Sequence, residues 1–285
     1  MFTFTCGDKF KVKDPDLFPD VFEASFILIC LFGLQVVLGH IFYYVFNPFK
    51  SGDPSATGII SVLSIGIIIS FVISYKNIGY REIVHFSQHS IVKTIGITII
   101  PIIVTCVGFV IVESEANKII QAVFPMTEYF KSTFARLANG TAVSILTISF
   151  VAPIIEELLF RGIFLKAFIE QYTIKKSILV SSLMFAIFHL NIYQFGVAFA
   201  FGIFSGWLFI KTCSLFPCIL AHFTLNSLSI LHLELQKKAV EVISYGEAPN
   251  INVLFIYALT GVTFLAIGII VLFHIFQRHN FSSYY

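Results

Sequence analysis

Apolar runs of membrane-spanning length recur along most of the sequence, and they constrain the fold more than any other feature. A helix needs about 20 consecutive apolar residues to cross a hydrocarbon core about 30 Å thick, and most of the runs reach or approach that length. They lie at 22–46, 57–75, 94–112, 141–165, 177–190, 195–211, 214–233 and 251–276. The pattern predicts an all-α polytopic membrane protein with about eight transmembrane helices, the fifth and sixth forming an antiparallel hairpin.

The composition excludes an ordinary soluble domain. Hydrophobic residues make up 57% of the chain and charged residues only 12%, whereas soluble domains carry roughly 25% charged residues. The net charge of +2 gives no reason to expect a nucleic-acid partner. No internal repeat divides the sequence, so residues 1–285 are predicted to form a single membrane domain surrounded by membrane lipids.

The distribution of Lys and Arg predicts the orientation of the chain. Cytoplasmic loops carry an excess of basic residues, and here the excess falls on the N-terminal segment and on every second loop after it. With eight helices, this distribution predicts that both termini are cytoplasmic. Residues 1–20 are polar, mixed in charge and broken by two prolines, so they lack the features of a cleaved signal peptide and are predicted to be retained.

Three charges interrupt the apolar sequence APIIEELLFRG at residues 152–162. Charged residues inside a membrane usually face a protein interior or a polar cavity, and they mark a functional site by default. Glu157 and Arg161 lie four residues apart and are predicted to pair on one helix face. Glu156 is rotated by about 100° from Glu157, so it is the less compensated carboxylate and the better candidate for a chemical role. Pro153 is expected to kink the helix and admit water, although an ion-paired packing element is the alternative for the cluster.

Two further polar groups lie downstream on separate helices. His189 follows Phe185 by one turn, and His222 and Asn226 lie four residues apart on one face of the next helix but one. With the predicted orientation, these side chains and Glu156 lie at similar depths in the cytoplasmic half of the membrane. A carboxylate and an imidazole can activate a water, while a second imidazole and an amide can stabilise an oxyanion. The set favours water-mediated peptide hydrolysis, and neither a GxSxG nor an HExxH pattern supports another protease class.

The order of these motifs resembles a known family. Glu-Glu-x-x-x-Arg at 156–161, Phe-x-x-x-His at 185–189 and His-x-x-x-Asn at 222–226 look like the motifs of the CPBP family. This family comprises the CAAX prenyl protease and bacteriocin-processing proteins, also called Abi proteins. The resemblance covers about 140–230, which is the predicted catalytic core, and the remaining helices fit by number and hydropathy.

The resemblance implies an intramembrane endopeptidase with eight helices and a polar cavity that opens toward the cytoplasm. Carried over by motif, the catalytic residues would be Glu156, His189, His222 and Asn226. Glu156 would activate the catalytic water with help from His189, and His222 and Asn226 would stabilise the oxyanion. The membrane would be the bacterial cell membrane or, in a eukaryote, the endoplasmic reticulum.

The resemblance also bears on cofactors. Glu157 and Arg161 would support the site, and no obligatory metal is expected because the pairing of His222 with an amide suits oxyanion stabilisation. Zinc bound by Glu156, His189 and His222 stays open as the alternative, because two histidines and a glutamate can ligate zinc.

The substrate and two other function classes also stay open. The family implies a peptide or lipidated-peptide substrate, since some members cleave prenylated CAAX peptides and others serve in peptide processing or immunity. A catalytically silent membrane binding or immunity protein of the same fold is the main alternative function. A transporter is a weaker alternative, because transporters usually show paired halves.

The segment FGIFSGWLF supplies small residues for close helix approach. Gly202, Ser205 and Gly206 are therefore interpreted as packing residues rather than catalytic ones.

Overall fold

Helices make up most of the chain that the computed structural model describes, namely residues 18–45, 54–76, 79, 83–138, 140–243, 251–279 and 281. The helices are α1 (Val21–Val45), α2 (Pro54–Lys76), α3 (Ile91–Val123), α4 (Glu128–Ala138), α5 (Ala142–Gln171), α6 (Ile174–Phe188), α7 (Ile192–Thr212), α8 (Leu215–Ile243) and α9 (Ile251–Arg278). No strand occurs in these ranges. The prediction of an all-α polytopic membrane protein is therefore confirmed.

Seven helices of the described part, rather than the predicted eight, are long and apolar enough to span a membrane. The difference is α6, predicted as the fifth span at 177–190, which contains only 15 residues. At about 1.5 Å per residue it rises about 22 Å, which is less than a hydrocarbon core about 30 Å thick. It ends because Leu190 has a left-handed φ of 46° and the Asn191 side chain caps the start of α7.

The corrected count bears on the predicted orientation. The assignment of loops to alternate sides assumed eight crossings, and residues 1–17, which include most of the segment predicted to be retained, lie outside the described part. The cytoplasmic location of both termini stays a prediction. The treatment of residues 1–285 as one membrane domain also stays a prediction.

Helices α8 and α9 both pack against helix α3. Its approach to α9 is close because Gly108 has no side chain, and a Cβ there would lie 2.8 Å from the Gly261 carbonyl oxygen. On the α8 side, the Cys106 thiol donates to the Ala221 carbonyl at 3.3 Å. Further along, the Gln236 amide donates to the Ser114 hydroxyl at 3.0 Å. Helices α3 and α8 therefore run in the same direction.

Candidate active site

The predicted charged cluster lies on α5, where the helix changes its winding twice. Residues Thr147–Val151 and Leu158–Leu165 form π-helical turns on either side of the α-helical stretch Ala152–Glu157. In the first turn the Ala152 N–H donates to the Thr147 carbonyl, five residues back. The departure from α-helical geometry thus begins before Pro153, the residue at which the sequence predicted a kink. Single π turns inside α-helices are frequent at functional sites, because they re-aim the side chains that follow.

Glu157 is held by three donors from three helices. Its Oε1 accepts from Arg161 Nη1 and from His222 Nδ1, both at 2.9 Å. Its Oε2 accepts from the Ser205 hydroxyl at 2.7 Å. The side chain has no exposed surface. A buried carboxylate with this many charge-assisted partners is a fixed structural anion, since its lone pairs are engaged.

Arg161 completes the ion pair that the four-residue spacing predicts. Its side chain is buried, and Nη2 donates to the Gly202 carbonyl at 3.3 Å. Its guanidinium carbon lies 4.5 Å from the ring centroid of Phe185 and 5.9 Å from that of Phe201. The aromatic faces stabilise the cation where water is excluded. The arginine thus joins α5 to α6 and α7.

Glu156 has a different environment from its neighbour. Its side chain keeps 10% of its surface exposed, and its Oε2 lies 3.8 Å from His222 Nε2. That separation is too long for a hydrogen bond, although it brings the carboxylate beside the same imidazole that contacts Glu157. The expectation from sequence that Glu156 is the less compensated of the two carboxylates agrees with these contacts.

The His222 ring is fixed between two carboxylates and two aromatic rings. Because a carboxylate accepts, Nδ1 donates to Glu157, and Nε2 is the nitrogen directed toward Glu156. The rings of Phe185 and Phe201 lie 5.6 Å and 5.0 Å from it, centroid to centroid. A ring held in this way presents one defined nitrogen to the site.

His189 and Asn226 are oriented by backbone carbonyls. His189 Nδ1 donates to the Phe185 carbonyl at 2.8 Å, which leaves Nε2 as the free ring nitrogen. Asn226 Nδ2 donates to the Ile148 carbonyl at 2.9 Å. Ile148 belongs to the first π-helical turn of α5, so this bond ties α8 to the widened part of that helix. An amide nitrogen carries two hydrogens, and one remains for another acceptor.

A cavity of about 470 Å³ lies beside these residues. Three of the four predicted catalytic side chains, those of His189, His222 and Asn226, are in its lining together with Phe185 and Phe201. Glu156 is not among the described lining residues, and its Oε2 lies 3.8 Å from Nε2 of His222, which is one of them. The structure therefore brings Glu156, Glu157 and Arg161 together with His222. It places His189 and Asn226 around the adjoining cavity.

Ser205 is the one member of this network that the sequence interpretation missed, because it was assigned to packing along with Gly202 and Gly206. The packing role is real for Gly202, where a Cβ would lie 2.8 Å from the Ser182 Cβ. The signal in the sequence was a hydroxyl between glycines within the apolar segment FGIFSGWLF. Such a hydroxyl needs a partner when it is buried.

Replacing Ser205 with Ala is expected to lower the free energy of unfolding by about 1.5 to 3 kcal/mol, because a hydrogen bond to a buried charged group is lost. Thermal unfolding in detergent measures the change. Ser182→Ala is the matched control, since the Ser182 hydroxyl donates within its own helix, to the Ile178 carbonyl. Equal stability of the two variants would contradict the role given to Ser205.

The candidate zinc ligands do not form a metal site in this arrangement. Among the described side chains, no group of three or more His, Cys, Asp or Glu residues is arranged to hold a metal ion. The described positions of Glu156, His189 and His222 thus provide no three-ligand group for zinc, and the metal alternative stays a prediction that the chelation test below addresses.

Comparison with known proteins identifies the region that carries the site. Residues 138–228 match the family model described as "Type II CAAX prenyl endopeptidase Rce1-like". No curated protein and no solved structure matches the chain. The matched segment contains all six predicted site residues, and the matched family implies protease activity at the level of the family. The match supports the assignment of residues 138–228 of this multi-pass membrane protein to the CPBP family of CAAX-type proteases.

Proposed function

We propose that the protein is an intramembrane endopeptidase that hydrolyses a peptide bond of a membrane-associated or prenylated peptide. One observation carries the proposal. Two adjacent carboxylates flank the same imidazole beside a cavity, and only one of them, Glu157, is saturated by donors. Glu156 is not saturated in this way, so its carboxylate can act on a substrate or a water. Pairs of titratable groups in contrasting environments are a frequent sign of acid–base chemistry.

The balance of charges in the cluster indicates how His222 can serve as an oxyanion donor. Glu156 and Glu157 contribute two negative charges, and Arg161 contributes one positive charge. The cluster becomes neutral when His222 carries a proton on both ring nitrogens, and neutrality matters because uncompensated charge inside a membrane protein is costly. In that state Nδ1 donates to Glu157 while Nε2–H is available to an oxyanion.

The attack step uses Glu156 as the general base. Glu156 takes a proton from a water, and the water oxygen forms a bond to the carbonyl carbon of the peptide as the carbonyl electrons move onto oxygen. His189 orients the water by accepting its second hydrogen at Nε2, because Nδ1 is engaged by the Phe185 carbonyl. The carboxylate thereby becomes a carboxylic acid.

The oxyanion formed in this step is stabilised from the α8 side. The donors are His222 Nε2–H and the second hydrogen of Asn226 Nδ2, the first being bound to Ile148. Donors held in advance by the fold cost no reorganisation during the reaction. The tetrahedral intermediate then collapses, the C–N bond breaks, and the proton on Glu156 passes to the leaving nitrogen. The products are a carboxylic acid and an amine, and transfer of the acid's proton to the amine gives a carboxylate and an ammonium group.

A cleavage assay tests the proposal. Purified wild type and Glu156→Gln are incubated in one detergent with membrane-anchored peptides, each prepared in prenylated and unprenylated form and assayed with and without chelator. We expect the wild type to cleave, Glu156→Gln to leave the peptides intact, and chelator to have no effect. Faster cleavage of the prenylated member of each pair identifies the lipid as part of the substrate.

Two results would redirect the assignment. Loss of wild-type cleavage on chelation would move the mechanism to a metal. Absence of cleavage by either protein, together with unchanged cellular function of Glu156→Gln, would favour a catalytically silent membrane binding protein of the same fold.

A further inference from the structure

The cavity contains an acidic group that the reaction above does not use. Glu113 lies in its lining on α3, one helical turn before Asn117. The side chain is partly buried, and no described side chain forms an ion pair or hydrogen bond with it. A carboxylate placed within a membrane span without a protein partner is costly, so such groups mark binding sites or ion pathways by default.

The contacts between α3 and α8 locate Glu113 relative to His222. Cys106 on α3 bonds to the carbonyl of Ala221, the residue before His222. Glu113 lies seven positions beyond Cys106, which is about 10 Å along the helix at about 1.5 Å per residue. The two helices run in the same direction, so Glu113 lies beyond the level of the Ala221 contact by about that distance along α3.

An extended peptide advances about 3.3 Å per residue. A substrate bound in the cavity with its scissile carbonyl at His222 would therefore bring its third residue from the cleaved bond beside Glu113. The apolar side chains of Val110, Phe201 and Leu225 share the lining with polar ones, among them Ser114, Asn117 and Ser229. A carboxylate in the lining that has no described partner selects a cation, because an apolar side chain there leaves the charge unpaired.

We propose that Glu113 is a specificity-determining residue that binds the cationic side chain of a Lys or Arg about three residues from the cleaved bond. The position of the cleaved bond in this proposal rests on the proposed peptidase function. The binding of the cationic side chain rests on the cavity and its lining. The nearest basic residue along α3, Lys118, forms an ion pair with Glu115 at 2.5 Å. Lys118 lines the same cavity but has Glu115 as its described partner, so a substrate cation is the countercharge proposed for Glu113.

A charge scan of a bound peptide tests the proposal. The probe is a palmitoylated peptide in which a single Lys is moved one position at a time, with norleucine at the same position as the uncharged match. Binding is measured by fluorescence anisotropy in detergent to Glu156→Gln, to Glu156→Gln with Glu113→Gln, and to Glu156→Gln with Glu128→Gln. The last variant is the control for loss of an acid, because Glu128 is exposed and is not among the lining residues.

We expect one register in which Lys binds about tenfold to a hundredfold more tightly than norleucine, as for a charge-assisted contact. The preference should vanish in the Glu113→Gln protein and persist in the Glu128→Gln protein. Absence of a favoured Lys position, or a preference that survives Glu113→Gln, overturns the proposal.

Cleavage of the same peptides by protein with Glu156 intact separates the two assignments. Cleavage without dependence on Glu113 overturns the specificity proposal and leaves the peptidase standing. A Glu113-dependent preference without cleavage of any peptide supports the cation site and overturns the proposed reaction. Where cleavage occurs, the favoured Lys should lie about three residues from the broken bond.

Discussion

Replacing Glu156 with Gln is expected to lower kcat for peptide cleavage by a factor of about 10² to 10⁴, which is the usual contribution of a general base. Gln has nearly the same shape as Glu but cannot take a proton from water. The fold should persist, because the closest ionic approach to Glu156 is the long contact with His222 at 3.8 Å. Initial rates at saturating peptide, with the unfolding temperature measured on the same preparation, check both parts.

The neighbouring substitution Glu157→Gln is the matched comparison. It removes the same charge one position away, but it leaves Arg161 buried without its carboxylate and weakens the bond from His222. We expect Glu157→Gln to lower the unfolding temperature as well as the activity. A Glu156→Gln protein that is as active as the wild type, or one that unfolds as readily as Glu157→Gln, would contradict the division of roles between the two carboxylates.

Local spacing predicted the parts of the site that lie on one helix. A four-residue separation places Glu157 beside Arg161 whatever the rest of the fold does, and the ion pair is present at 2.9 Å. Apolar runs likewise predicted the positions of the long helices, because membrane thickness sets a length that can be counted in a sequence. These features depend on short-range geometry, which is why they could be predicted.

The contacts between helices could not be predicted from local spacing. The imidazole of His222 bonds to Glu157, 65 residues earlier in the chain, and the hydroxyl of Ser205 reaches the same carboxylate from a third helix. Their positions depend on how α5, α7 and α8 pack, and on the π-helical turns that rotate residues of α5. The shortness of α6 depends on the left-handed turn at Leu190, a conformation that leucine seldom adopts.

The buried ion pair predicts the largest effect on stability. Replacing Arg161 with Met is expected to lower the free energy of unfolding by about 3 to 5 kcal/mol, the range for breaking a buried pair by removing one partner. Glu157 would keep Ser205 and His222 as donors but would lose the full positive charge that balances it. The rings of Phe185 and Phe201 would also lose the cation above them.

A double variant separates two contributions to the loss of stability, namely the unpaired charge of Glu157 and the lost packing of the Arg161 side chain. Combining Arg161→Met with Glu157→Gln removes both charges, and apolar or neutral replacements of a buried pair are often tolerated. We expect the double variant to recover more than half of the stability lost by Arg161→Met, measured by denaturant unfolding in detergent. It should stay inactive, because the neutral amide no longer fixes the His222 ring as a carboxylate does. Recovery of activity along with stability would mean that the ion pair serves packing alone. Equal instability of the single and double variants would mean that the lost stability comes from the lost contacts of the arginine side chain.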